Sequence, residues 1–169
     1  MTHMDQGSRT RCSADFEDIA GDLLHAARMD DMERYCQHGS TSTYQHSVAV
    51  AYYSLRLARA LRIPCDERSL VRGCLLHDYF LYDWHDGSQA PDRWHGFTHP
   101  RHALANAERD FALNDIERDL IAHHMFPLVP IPPRCREGWI ATLVDKACSL
   151  REVFVSNPYA NLCPKEAAL

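Results

Sequence analysis

Histidine occurs 11 times in this chain. Residues of metal-ligand type recur in an order that suits cation binding: His46, the pair His77-Asp78, His99, the pair His123-His124, and Asp145. Imidazole is the commonest metal-binding side chain, and the neutral ring offers a nitrogen lone pair. Imidazole nitrogen mixed with carboxylate oxygen suits Mn, Fe, Co, Ni or Zn, whereas Ca or Mg calls for oxygen ligands alone. The chemistry open to this set is capture of one or two divalent transition-metal ions. The plainer alternative makes each a capped or hydrogen-bonded core residue, but burying an aspartate beside a histidine without a partner charge is costly. His124 has a second reading as a substrate contact, since adjacent residues on a helix point in different directions. His85, His95 and His102 read as solvent-facing or loop residues.

Helices must position these groups. Ser13 can cap a first helix in which Phe16, Ile19, Ala20, Leu23, Leu24 and Ala27 follow i, i+3, i+4 spacing, and this helix is expected to run to about Tyr35. After the polar stretch 39–42, a second helix over about Thr43 to Leu61 carries Val48, Ala51, Tyr52, Leu55 and Ala58 on one face and stops before Pro64. A third, about Asp66 to Phe80, places Leu70, Gly73 and Cys74 on the face of His77 and so turns that ring inward. On such a helix His77 and Asp78 diverge by about 100°, and Asp78 bridges two ions only if the cavity wraps around that turn. Thr98 and Pro100 mark a fourth helix to about Leu113, and Asn114 with Glu117 resembles a capping box opening a fifth through Met125. The prolines of 127–133 exclude a helix there, and a last helix runs from about Glu137 to Phe154. No alternating pattern of strand length occurs, so the fold class expected is all-α: a single-domain helical bundle with the metal site in its cavity.

Composition is consistent with one globular domain. At 169 residues, with 46% hydrophobic and 24% charged residues, the chain is long enough to bury roughly 70% of its unfolded surface. It has no apolar run long enough for a membrane span and no signal segment, which points to the cytoplasm. Seven scattered cysteines without a C-x-x-C pair read as reduced thiols. A net charge of −5 offers no basic footprint for extended nucleic acid. The aromatics Tyr79, Phe80, Tyr82, Trp84, Trp94 and Phe97 read as packing for a long loop over the bundle, with a lid as the other reading.

The order His46, His77-Asp78, His99, His123-His124, Asp145 resembles the HD-domain superfamily of metal-dependent phosphohydrolases over roughly residues 40–155. The resemblance implies that His46, His77, Asp78 and Asp145 hold a first ion. It also implies that His99, His123 and His124 stand where two-metal members place further ligands. The strings HDYFLYDW (77–84) and GFTHP (96–100) resemble a bacterial branch for which a fold but no substrate is implied. The sequence departs from the cyclic-di-GMP phosphodiesterase branch, because Met125-Phe126-Pro127 follows the histidine pair. The implied organisation is an N-terminal helix packing on the core (1–36), a metal-binding domain (37–155) and a C-terminal tail (156–169).

Two divalent ions against two carboxylates and neutral histidines leave a charge of about +2, a receptor for a phosphate dianion. Such ions lower the pKa of water from about 15.7 towards about 7, which permits hydrolysis at neutral pH. The function expected is hydrolysis of a small phosphate ester or nucleotide. Asp78, Lys146 and His38 are the expected catalytic groups, and Arg101 and Lys146 the expected substrate contacts. Two other functions fit the same ligands: a mixed-valent di-iron oxygenase acting on a small polar substrate, and a non-catalytic metal- or nucleotide-binding sensor.

Overall fold

Four of the helices open on a side chain that accepts a backbone N–H three residues on, so their starts are written locally. The computed structural model describes residues 15–86, 94–159 and 162, apart from the side chains of Ala27 and His38. In it Ser42 caps α2 (Thr43–Ala60), Asp66 caps α3 (Glu67–Leu76), Asn114 caps α5 (Asp115–His123) and Cys135 caps α6 (Arg136–Phe154). Ser42 with Gln45, and Asn114 with Glu117, form reciprocal capping boxes that satisfy two orphan N–H groups each. Helix α4 (His95–Asp110) starts without a side-chain cap. Ahead of α2 come α1 (residues 15–24), a 3-10 helix (Ala27–Arg34) and a small antiparallel hairpin of β1 (Cys36–His38) and β2 (Thr41–Ser42). The architecture is an all-α bundle, as the periodicity predicts.

Helix α2 runs through the middle, burying Tyr44, Val48, Ala51, Leu55 and Ala58 against α3 and α6. From α1, Phe16, Ala20, Leu23 and Leu24 join the same core, and Phe16 meets the Tyr52 ring edge-on at 5.8 Å. Between α3 and α5 the approach is close: a Cβ on Gly73 would stand 2.8 Å from the Leu120 side chain, so only glycine fits without repacking. Buried Arg72 ties α3 to α1 and α5, bonding Glu117 at 2.8 Å and Asp22 as well. Removing one partner would strand a buried charge. Among the described residues no helix is long and apolar enough to cross a membrane.

Several boundaries differ from expectation. The first helix breaks after residue 24 and resumes as the 3-10 turn, so it does not continue to Tyr35. The proposed cap Ser13 lies outside the described residues. Helix α3 stops at Leu76, well short of Phe80, and α4 starts at His95, three residues before Thr98. Pro100 therefore sits inside α4 and supplies no N–H to the carbonyl four residues back. The polar stretch after the 3-10 helix is part of a hairpin, turned at Gly39 with φ +57, a conformation that costs glycine little.

Candidate metal centre

The end of α3 shapes the site. His77 is the C-cap residue, still right-handed helical, and the chain then turns through Tyr79 N–H to Leu76 O and Phe80 N–H to Asp78 O. The helix therefore ends at this pair and does not run on to Phe80 as expected. Both side chains join one buried cluster, His77 Nε2 lying 3.3 Å from Asp78 Oδ2. Helix α2 brings His46 from one side and α6 brings Asp145 from another, with 3.1 Å between His46 Nε2 and Asp145 Oδ1. Asp145 Oδ1 is also 3.6 Å from His77 Nε2.

The two oxygens of Asp78 face two different groups of donors. Oδ2 lies 3.7 Å from His46 Nε2, on the side of His77 and Asp145. Oδ1 lies 3.2 Å from His99 Nε2 and 3.7 Å from His124 Nε2. His46, His77 and Asp145 offer ligand atoms within 4.8 Å of one another, as do His77, Asp78 and His124.

Whether a metal suits this set is decided by the outer nitrogens of the rings. His77 Nδ1 donates to Cys74 O at 2.7 Å, His99 Nδ1 to His95 O at 2.9 Å and His124 Nδ1 to Ile121 O at 2.9 Å. His46 Nδ1 bonds Glu152 Oε1 at 2.8 Å. With every Nδ1 proton so directed, the four Nε2 atoms of neutral rings present lone pairs, and they converge on two carboxylates. His99 Nε2 and His124 Nε2 are 3.0 Å apart, a distance that two lone pairs keep only with a cation, a proton or a metal ion, between or beside them. Buried His77 Nε2 and Asp78 Oδ1 make no hydrogen bond. Donors of this kind fit divalent transition ions.

Without ions, protons take the cations' place. Burial opposes charge on His46, but its bonds to Asp145 and Glu152 outweigh burial and raise it to about 9. His77 is likewise raised, against burial, by Asp78 and Asp145. Despite burial, Asp78 is held well below the usual carboxylate range by His77 and His99, and Asp145 by His46 and His77. His124 is pushed down to about 3 by burial and by the charge of His77 and His99.

Two sequence-predicted site residues stand elsewhere. His123 points away from the cluster and bonds Asp119 Oδ1 at 2.8 Å, so its reading as a ligand is corrected: neighbours on a helix are about 100° apart, and His124 takes the inward direction. Asp119 in turn accepts from the N–H groups of Arg134 and Cys135, and the pair holds the entry to α6. His123→Ala is expected to leave metal content unchanged and to cost about 1 kcal/mol, a fall of about 2–4 °C in Tm by calorimetry. Arg101 is exposed on α4 and is not among the residues that line the cavity. Lys146 does line the cavity, with Nζ donating to His124 O at 3.1 Å and burial pushing its pKa down. His38 ends β1, but its side chain lies outside the described ones.

Two residues escaped sequence reasoning. Glu152 is buried on α6, seven residues beyond Asp145 and therefore on the same face, a spacing that could have flagged it. Gln37, on β1, donates Nε2 to Asp78 Oδ2 at 2.6 Å, and nothing in the sequence around it announces that role. Glu152→Ala should free the His46 ring to rotate and weaken metal binding about 10–100-fold in chelator competition, with Glu152→Gln retaining part of the affinity. An unchanged affinity would show that His46 needs no orientation.

Beyond the cluster opens a cavity of about 1080 Å³, with Asp78, Asp145, His99 and His124 at its inner end. His95 and Trp84 belong to its wall: the His95 ring stacks on Trp84 at 4.9 Å and on His99 at 4.7 Å, and its Nδ1 meets Tyr82 Oη at 2.9 Å. Tyr79 and Phe80 are core residues, whereas Trp84, Trp94 and Phe97 line the cavity. Against protein-family models, the HD domain matches residues 43–149. No curated protein and no solved structure matches the chain.

Proposed function

The chain belongs to the HD-domain family, and from that premise we propose that it is a metal-dependent phosphohydrolase acting on a small phosphate ester. The observation that carries the reading is the convergence of four imidazole Nε2 atoms on the carboxylates of Asp78 and Asp145 in a buried cluster open to a cavity. His46, His77, Asp78 and Asp145 would hold one ion, and His99, His124 and the other oxygen of Asp78 a second. Divalent ions bound there supply positive charge opposite a phosphoryl group and a water acidified towards a pKa of about 7.

The chain's own groups do the rest. Glu152, Cys74 O, His95 O and Ile121 O fix the rings, so no reorganisation is needed when a substrate arrives. Gln37 holds one oxygen of Asp78 and keeps the carboxylate spanning both donor groups. Lys146, next to Asp145 and exposed at the wall, is the cation best placed to orient a phosphoryl oxygen, at the cost of its bond to His124 O.

The test loads metal-free protein with Mn, Fe, Co, Ni or Zn in turn and follows phosphate release from small phosphate esters. Release with at least one ion is the expected result. Oxygen uptake by the iron-loaded protein, with no phosphate from any ester, would replace the hydrolase with the oxygenase that the same ligands can serve.

A further inference from the structure

The cavity wall says more about the substrate than the ligands do. Trp84, Trp94, Phe97, Met125 and Leu128 line it, so apolar and aromatic side chains make most of the surface beyond the metal donors. Three of these are conspicuously exposed: Trp94 at 68%, Phe97 at 49% and Leu128 at 44%. Trp94 and Phe97 stand edge to face, with centroids 6.0 Å apart and planes at 72°, which makes a corner of two steeply inclined rings. Between these two in the chain lies Gly96, where an added Cβ would stand 3.4 Å from the Leu128 side chain, so the proline segment packs against the start of α4. Large apolar side chains grouped at the wall of one cavity mark a surface that a ligand covers.

Charge narrows the ligand further. Among the described lining residues Lys146 is the sole Lys or Arg, beside the carboxylates of Asp78 and Asp145. One phosphoryl group can be neutralised by the ions and Lys146. The volume of about 1080 Å³ far exceeds what a phosphoryl group fills and leaves room for a ring system.

We infer that the substrate is a phosphomonoester of an uncharged, ring-bearing alcohol, its phosphoryl group at the Asp78–Asp145 end and its ring in the corner of Trp94 and Phe97. This rests on the phosphohydrolase reading for the fate of the ester, but the recognition it describes is measurable without turnover. Ring stacking supplies affinity for the leaving group because each aromatic contact adds to the area it buries.

The experiment titrates metal-loaded protein with non-hydrolysable phosphonates and reads tryptophan fluorescence, since Trp84 and Trp94 line the cavity and the third tryptophan, Trp139, does not. Naphthylmethylphosphonate is expected to bind about 10–100-fold more tightly than methylphosphonate. Trp94→Ala and Phe97→Ala, at exposed positions, should each weaken the naphthyl ligand by about tenfold while leaving methylphosphonate binding and the melting temperature unchanged. Equal affinity of the two phosphonates, or tighter binding of a nucleoside triphosphate than of either, overturns the inference. If the naphthyl preference is found but no aryl phosphate is hydrolysed, the hydrolase reading fails and the ligand class stands. If small esters are hydrolysed without that preference, the reverse holds.

Discussion

Asp78→Ala is expected to strip the protein of both ions, from about two per chain to fewer than one, whereas His99→Ala should retain about one. The asymmetry follows from where the oxygens point. Oδ2 of Asp78 stands with His46 and His77, and Oδ1 stands with His99 and His124. Removing the carboxylate takes a donor from each group and leaves the His77, His99 and His124 rings without the negative charge they share. Removing His99 takes a donor from one group only. Phosphate release should fall by about 10³-fold or more in Asp78→Ala, equivalent to several kcal/mol of barrier. Elemental analysis of protein purified without chelator, with a melting curve to verify folding, checks the first part. Two ions retained by Asp78→Ala would mean that the carboxylate does not bridge.

The bundle was legible because its helices are locally specified. Ser42 with Gln45 and Asn114 with Glu117 write two helix starts into four residues each, and the apolar stripe of α2 from Val48 to Ala58 has one period throughout. The boundaries that escaped are set by tertiary contacts. Nothing in the run from Leu75 to Phe80 breaks a helix by propensity, yet α3 ends at Leu76, and the turn that follows buries His77, Asp78, Tyr79 and Phe80 together. A three-residue strand such as β1 is too short to show alternation, so the hairpin was invisible and Gln37 with it.

The site was legible to the extent that chemistry is tied to residue type. Histidine and aspartate are residues that could hold a cation, and the structure gathers His46, His77, Asp78, His99, His124 and Asp145 into one buried cluster. Direction is harder to read. Of the adjacent pair on α5, only one ring can face inward, and sequence does not say that Asp119 claims His123. Arg101 stands off the cavity wall for a similar reason, since it lies two residues beyond His99 and so about 200° around α4. Charge type places neither side chain.

Removing the ions should lower the melting temperature by an amount that grows with pH. At free metal about 1,000 times Kd, binding adds about 4 kcal/mol to stability, or about 8–16 °C for a chain of this size. The pH dependence comes from the protons that substitute for the ions. His46 in the metal-free protein is raised from 6.5 to about 9, so its contribution to the metal-free fold is fully present below about 6.5 and is lost as pH rises through about 9. Asp78 and Asp145 are shifted the other way, and their contribution is constant across this window because it falls away only in acid, below the ordinary carboxylate range. Metal-free protein therefore loses stability between pH 6.5 and 9. Metal affinity gains over the same range, up to tenfold per pH unit for each proton displaced. Calorimetric melts with and without chelator at pH 6, 7.5 and 9 should show the gap widening at each step. A gap that stays constant would mean that the buried histidines carry no protons for the metal to displace, and no gap at any pH would remove the metal from the fold's stability altogether.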